Sequence, residues 1–147
     1  VTPISTDNAV TDDQPFEDPT LLASAIAGLA ADKKATDIVA LDLRGVSGFT
    51  DVFVVCTGNT DRQVKAIHDS IHKGLKDDHR MLPRRVEGLT ESRWVLMDYW
   101  DAVVHVFTPD TREYYRLEQL WGDVPRIEID PAVLGTGPAA DEPDADA

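Results

Sequence analysis

Cysteine is nearly absent: Cys56 is the only one in 147 residues, so no internal disulfide can form and a reducing compartment suits the chain. No apolar run approaches the ~20 residues of a membrane span. No basic start precedes an apolar stretch, so a signal peptide is not expected and a cytoplasmic location is. Basic residues are scarce, 14 Lys and Arg against 27 Asp and Glu, and the net charge of −13 argues against broad coating of nucleic acid. That balance leaves room for a basic protein partner.

The deficit is uneven. All 14 bases lie between Lys33 and Arg126, alongside 17 of the 27 acids within residues 19–129, so that region carries only −3. The ends hold the rest. Residues 1–18 and 130–147, rich in Pro, Asp, Thr and Ala, have no apolar period and are expected to be disordered acidic tails around one domain. With 42% hydrophobic residues, that domain can build an ordinary core.

Catalytic signatures are also missing. His68 and His72 stand four apart, but Asp69-Ser70-Ile71 lies between them where a metalloprotease helix needs glutamate first, so no metal site is expected. Gly58 ends a strand before a helix, a place that suits phosphate, yet no Gly-Lys pair follows.

What is present is a regular alternation of elements. Asp18-Pro19-Thr20 opens a helix whose Leu21, Leu22, Ala25, Ile26 and Leu29 recur at helical spacing, to about Asp32 or Lys34. Ile38–Leu43 reads as a strand and Arg44–Gly48 as a turn. Val52–Thr57 is apolar almost throughout, as in a central strand covered on both faces, and Cys56 is a small core residue there. After Asn59 or Thr60 as cap, Val64, Ile67, His68, Ile71 and Leu75 form a buried helical stripe. Arg84–Gly88 gives a short strand. Pro109–Trp121 reads as a last helix stopped by Gly122, and Val124–Ile129 as a short extended piece. The order predicts an α/β fold, one domain with a mixed sheet of about five strands flanked by helices.

The most informative stretch is Arg93–Phe107. Trp94–Tyr99 and Ala102–Phe107 flank Trp100-Asp101 and predict a hairpin in which Tyr99 faces Ala102. Val95, Met97, Tyr99, Ala102, Val104 and Val106 then share a core face. Trp94, Leu96, Asp98, Val103, His105 and Phe107 share the other, half buried and half presented. A tryptophan beside carboxylates suits a protein-binding surface; a structural tryptophan at a sheet rim suits the same composition. Asp98 and Asp101 read equally as a turn and as an acid/base pair.

Four segments together resemble the ribosomal silencing factor family, RsfS, also called the Iojap family. They are A-T-D-I-V-A-L-D-L-R-G (Ala35–Gly45), T-D-V-F-V-V-C-T-G-N-T-D-R-Q-V-K-A-I (Thr50–Ile67), R-W-V-L-M-D-Y-W-D-A-V-V-H-V-F (Arg93–Phe107) and R-E-Y-Y-R-L-E-Q-L-W-G-D (Arg112–Asp123). The resemblance implies no catalysis and no cofactor. It implies binding to large-subunit ribosomal protein number fourteen, a block to joining of the small subunit, and repression of translation. Ribosomal RNA would be at most a minor contact, no membrane is involved, and self-association as a homodimer stays open. The family's ribosome-facing surface maps onto Trp94, Asp98 and Asp101, with Leu96, Tyr99 and His105 as further candidates. Many members read L-G-D where this chain has Tyr99-Trp100-Asp101, which leaves the turn geometry open.

The family's core is similar to a nucleotidyltransferase-like fold, so a metal-dependent enzyme is the alternative. Such enzymes need a glycine-serine turn and paired carboxylates on a strand. Here Asn59 follows Gly58, and the sole D-x-D-type pair, Asp144 and Asp146, lies in the C-terminal tail.

Overall fold

In a computed structural model that describes residues 18–46, 48 and 50–134, the chain forms a six-stranded sheet with helices. Of the tails expected at 1–18 and 130–147, residues 1–17 and 135–147 lie outside the described residues, whereas Asp18 caps the first helix and residues 130–134 form a turn in which the Val133 N–H donates to the Asp130 carbonyl at 2.9 Å. The elements are α1 (Pro19–Ala31), β1 (Thr36–Asp42), β2 (Val52–Thr57), α2 (Asp61–His79) and β3 (Arg85–Glu87). They continue with β4 (Trp94–Asp98), β5 (Ala102–Phe107), α3 (Pro109–Tyr115), α4 (Leu117–Leu120) and β6 (Arg126–Ile127). The sheet order is β3-β4-β5-β2-β1-β6, with β2 and β5 parallel and every other pair antiparallel. The sheet is mixed, as expected; its sixth strand is the two-residue piece within Val124–Ile129.

The two long helices, α1 and α2, start where side chains can satisfy their first amides. Asp18 accepts from the Thr20 N–H at 3.0 Å, and Thr60 accepts from the Gln63 N–H at 3.1 Å. Gln63 also takes the Asn59 N–H at 2.6 Å and donates to the carbonyls of Lys33 and Lys34, tying the start of α2 to the end of α1. The stripe Val64, Ile67, His68, Ile71 and Leu75 is buried as its spacing requires. With Leu22, Ala23 and Ile26 of α1 it covers one sheet face, meeting Val54, Cys56, Met97, Val104 and Val106.

The opposite face is also covered, which corrects the expectation that half of it is presented. Leu41, Phe53, Val55, Val103 and Phe107 form a second core, closed by Leu117, Trp121 and Val124. Every residue of β2 and β5 is buried. That cover exists because the last helix is not continuous. Arg116 takes a left-handed conformation, φ 49°, separating α3 from α4 and turning Leu117 and Trp121 onto the sheet. Trp121 then meets Phe53 edge-on, ring centroids 5.8 Å apart.

Gly88, which ends β3, has φ +86° and lies against the Trp94 carbonyl; a Cβ there would stand 2.0 Å from that oxygen. Only glycine permits both the conformation and the approach. It sets the chain entering β4 at Trp94.

Candidate functional site

The hairpin register matches the expected one, with Asp98 opposite Val103, Leu96 opposite His105, and Trp94 opposite Phe107. The Tyr99 N–H donates to the Ala102 carbonyl at 2.8 Å. Val95, Met97, Tyr99, Ala102, Val104 and Val106 are all buried beneath the helices.

On the second face the six candidate residues part company. The Trp94 indole N–H donates to His105 Nδ1 at 3.0 Å, and its ring stacks on Phe107 with centroids 5.0 Å apart. Tyr115 of α3 closes on the same indole at 4.7 Å. His105 is 3% exposed and meets Phe53 edge-on at 4.7 Å. Because Nδ1 accepts, the ring proton sits on Nε2, a buried atom with no hydrogen-bond partner. Burial holds the imidazole neutral, lowering its pKa to about 4. His105 therefore orients Trp94 from beneath.

Asp98 is 4% exposed. It accepts from Arg84 Nε at 3.0 Å and from the Trp100 N–H at 2.9 Å, so it caps the turn. Tyr99 lies in the core, and burial pushes its phenol pKa up. Asp98, Tyr99 and His105 are thus buried within the chain: alternation placed them at the hairpin, and helices, Arg84 and the second core cover them. Leu96 is half-buried at the edge of that core. Asp101 is half-buried, and burial raises its carboxyl above the usual range, with Asp51 adding to the rise.

Trp94 and Asp101 do not form one patch. They sit at opposite ends of β4, roughly 20 Å apart at the rise of an extended chain. At the Trp94 end, a groove of about 430 Å³ runs between the Thr90–Arg93 loop, Trp94, Thr111 and Tyr115. Tyr114 packs on Tyr115 at 5.0 Å and is 80% exposed, while Tyr115 is 50% exposed. These tyrosines escape a sequence reading because a continuous helix assigns them to the apolar stripe; only the break at Arg116 leaves them outside.

Where parallel strands end in α/β sheets, ligands commonly bind. Here that place, past Thr57, is a cavity of about 350 Å³ bordered by Asp37, Asn59 and Pro109, and the Arg112 side chain spans its wall. Arg112 donates to Thr57 Oγ1 at 2.7 Å, to the Asp37 carbonyl at 2.8 Å, and twice to Glu118 at 3.0 and 2.7 Å. Among the described residues no group of three His, Cys, Asp or Glu is placed to hold a metal ion. His68 is buried with Nδ1 at 2.8 Å from Asp69, and burial pushes the Cys56 thiol up to about 12, far from a nucleophile's range. No described helix is long and apolar enough to cross a membrane.

The buried imidazole predicts acid lability. The unfolded chain takes up a proton near pH 6.5, while folded His105 resists until about pH 4. Its share of stability is full above 6.5 and falls by about 3 kcal/mol as pH drops through that window. Urea unfolding between pH 7 and 4.5 should show this slope, and His105→Asn, which keeps an acceptor for Trp94, should flatten it. An equal slope in both proteins removes the assignment.

The structure thus defines a small α/β protein whose distinctive surface is aromatic rather than reactive. Residues 16–147 match the family described as ribosomal silencing factor during starvation, RsfS. The chain is 48% identical over 104 residues to the ribosomal silencing factor RsfS of Bacillus subtilis, covering 71% of this chain and 87% of that one. It is similar to a crystal structure from Bacillus halodurans, with TM-score 0.63 and 42% identity over 74% of this chain and 97% of that one. An X-ray structure from Chromobacterium violaceum gives TM-score 0.65 and 36% identity over 76% and 94%. The chain belongs to the RsfS family.

Proposed function

We propose that this chain silences ribosomes by docking, without catalysis, on the large subunit through ribosomal protein number fourteen. Seated there in the cytoplasm, it keeps the small subunit from joining and represses translation. The observation that carries this reading is the groove beside Trp94 and Tyr115, within a chain of the ribosomal silencing family. A partly buried tryptophan on the sheet and a half-exposed tyrosine on the adjoining helix supply contact area at low entropic cost, as interface anchors do. The chain's acidity suits a basic partner.

Co-sedimentation with isolated ribosomal subunits tests it. The protein should travel with large subunits only, and its addition should lower the yield of joined ribosomes in a sucrose gradient. Binding to neither subunit, together with Mg²⁺-dependent nucleotide turnover, would replace this reading with the enzymatic one.

A further inference from the structure

The far end of the hairpin carries a second exposed aromatic that the Trp94 groove does not use. Trp100 is 51% exposed and has φ +75°. A bulky L-residue in that region is strained by about 1 kcal/mol or more, and persists only where its surroundings hold it. Three contacts do so. Its N–H donates to Asp98 Oδ1 at 2.9 Å, the Asp101 N–H closes on the Tyr99 carbonyl at 2.9 Å, and the Arg84 guanidinium lies 4.2 Å from the ring centroid. Glycine would make the same turn without strain and without leaving half an indole in water. Within the chain the ring's packing is to the Arg84 guanidinium, and half of it stays in water.

Its charge surroundings indicate an occupant. The Asp51 and Val52 N–H groups donate to the Asp101 carbonyl at 3.1 and 3.0 Å, bringing the starts of β2 and β5 together. Asp51 therefore stands close enough to Asp101 to disfavour the charge on the Asp101 carboxyl, which burial raises first. Neither makes a salt bridge within 4.0 Å among the described residues, although Arg44, held by Asp42, lies near Asp51; Asp98, by contrast, is paired with Arg84. The indole already receives one guanidinium, that of Arg84. A second cation beside it would gain both the ring and two carboxylates.

We propose that Trp100, Asp101 and Asp51 form a receptor for one lysine or arginine side chain of a basic protein partner, its stem on the indole and its charged head between the carboxylates. The partner's identity, though not the receptor's chemistry, rests on the ribosomal reading above.

Two measurements test it. In the first, Trp100→Gly should bind isolated large subunits about tenfold more weakly than wild type while melting no lower, since glycine relieves the strained φ. Asp51→Asn should also bind more weakly and with a shallower dependence on salt. In the second, hexa-arginine titrated into ¹⁵N-labelled protein should shift the Trp100 indole N–H saturably, and Asp51→Asn should abolish the shift; this arm stands even if wild type ignores ribosomes. Trp100→Gly binding large subunits as tightly as wild type, while Tyr115→Ala binds weakly, would overturn the receptor and leave the Trp94 groove intact. A Trp100 resonance indifferent to hexa-arginine would overturn it directly. So would sedimentation equilibrium in which Trp100→Gly only converts a dimer to a monomer, which assigns the corner to a second copy.

Discussion

Arg112→Met should lower stability by about 3 kcal/mol or more and loosen everything after β5. The arginine side chain is largely buried, and all its recorded bonds run inward: two to Glu118, one to Thr57 and one to the Asp37 carbonyl. Methionine matches the stem but leaves the Glu118 carboxylate, Thr57 Oγ1 and a carbonyl without their donor. Stranding a partly buried charge costs several kcal/mol, well beyond the loss of one neutral hydrogen bond. Glu118 sits on α4, two residues beyond the break at Arg116, so the loss should first free Leu117 and Trp121 from the second core. Hydrogen exchange at the β1 and β6 amides, and quenching of Trp121 fluorescence, should rise before global unfolding. The companion variant Glu118→Gln, which still accepts from Arg112, should cost much less. Equal melting of Arg112→Met and wild type would show that the C-terminal segment is held by its apolar contacts alone.

The second large effect falls on binding. Trp94→Ala should weaken large-subunit affinity by about 2 kcal/mol, roughly thirtyfold, as loss of an interface anchor does. It should also destabilise by about 2–3 kcal/mol, because the indole stacks on Phe107, meets Tyr115 and donates to His105. The two losses must be separated. Tyr115→Ala removes the other wall of the groove from a half-exposed position, so it should melt within about 1 kcal/mol of wild type and still bind poorly. Trp94→Phe keeps a ring but no N–H, and should recover most stability and part of the affinity. If Tyr115→Ala and Trp94→Phe both bind like wild type, Trp94 is a rim residue of the sheet and the ribosome contact lies elsewhere.

Much of the hairpin was legible because period-two alternation and a two-residue connection leave a single register, and the core face followed residue by residue. The all-apolar β2 and the stripe from Val64 to Leu75 were legible for the same reason: burial and period agree. The second face was not. Trp94, Asp98 and His105 are polar enough to read as presented, but Arg84 covers Asp98, Tyr115 and Phe107 flank Trp94, and the apolar part of the face is closed by Leu117, Trp121 and Val124, beyond a break that no glycine or proline marks. Arginine at φ 49° has no sequence signal; the stop at Gly122 masked it. Tyr114 and Tyr115, which a continuous helix over Pro109–Trp121 does not single out, lie on the surface before Arg116. Asp51 was read only as part of the approach to β2, since its nearness to Asp101 depends on parallel pairing across the chain.

That parallel pairing has a consequence for synthesis. Val52 of β2 lies beside Ala102 of β5, so the middle of the sheet closes over about fifty residues. When β2 emerges, its only earlier neighbour is β1; its other edge stays open until α2, β3 and β4 have all followed. A nascent chain halted before Ala102 therefore presents Val-Phe-Val-Val-Cys-Thr with one unpaired edge, a segment of high β-propensity and no charge. Contacts this far apart form slowly, because chain closure precedes any gain from them. Truncations ending in α2 should aggregate, and chaperone occupancy on translating chains should fall only once β5 has left the exit tunnel.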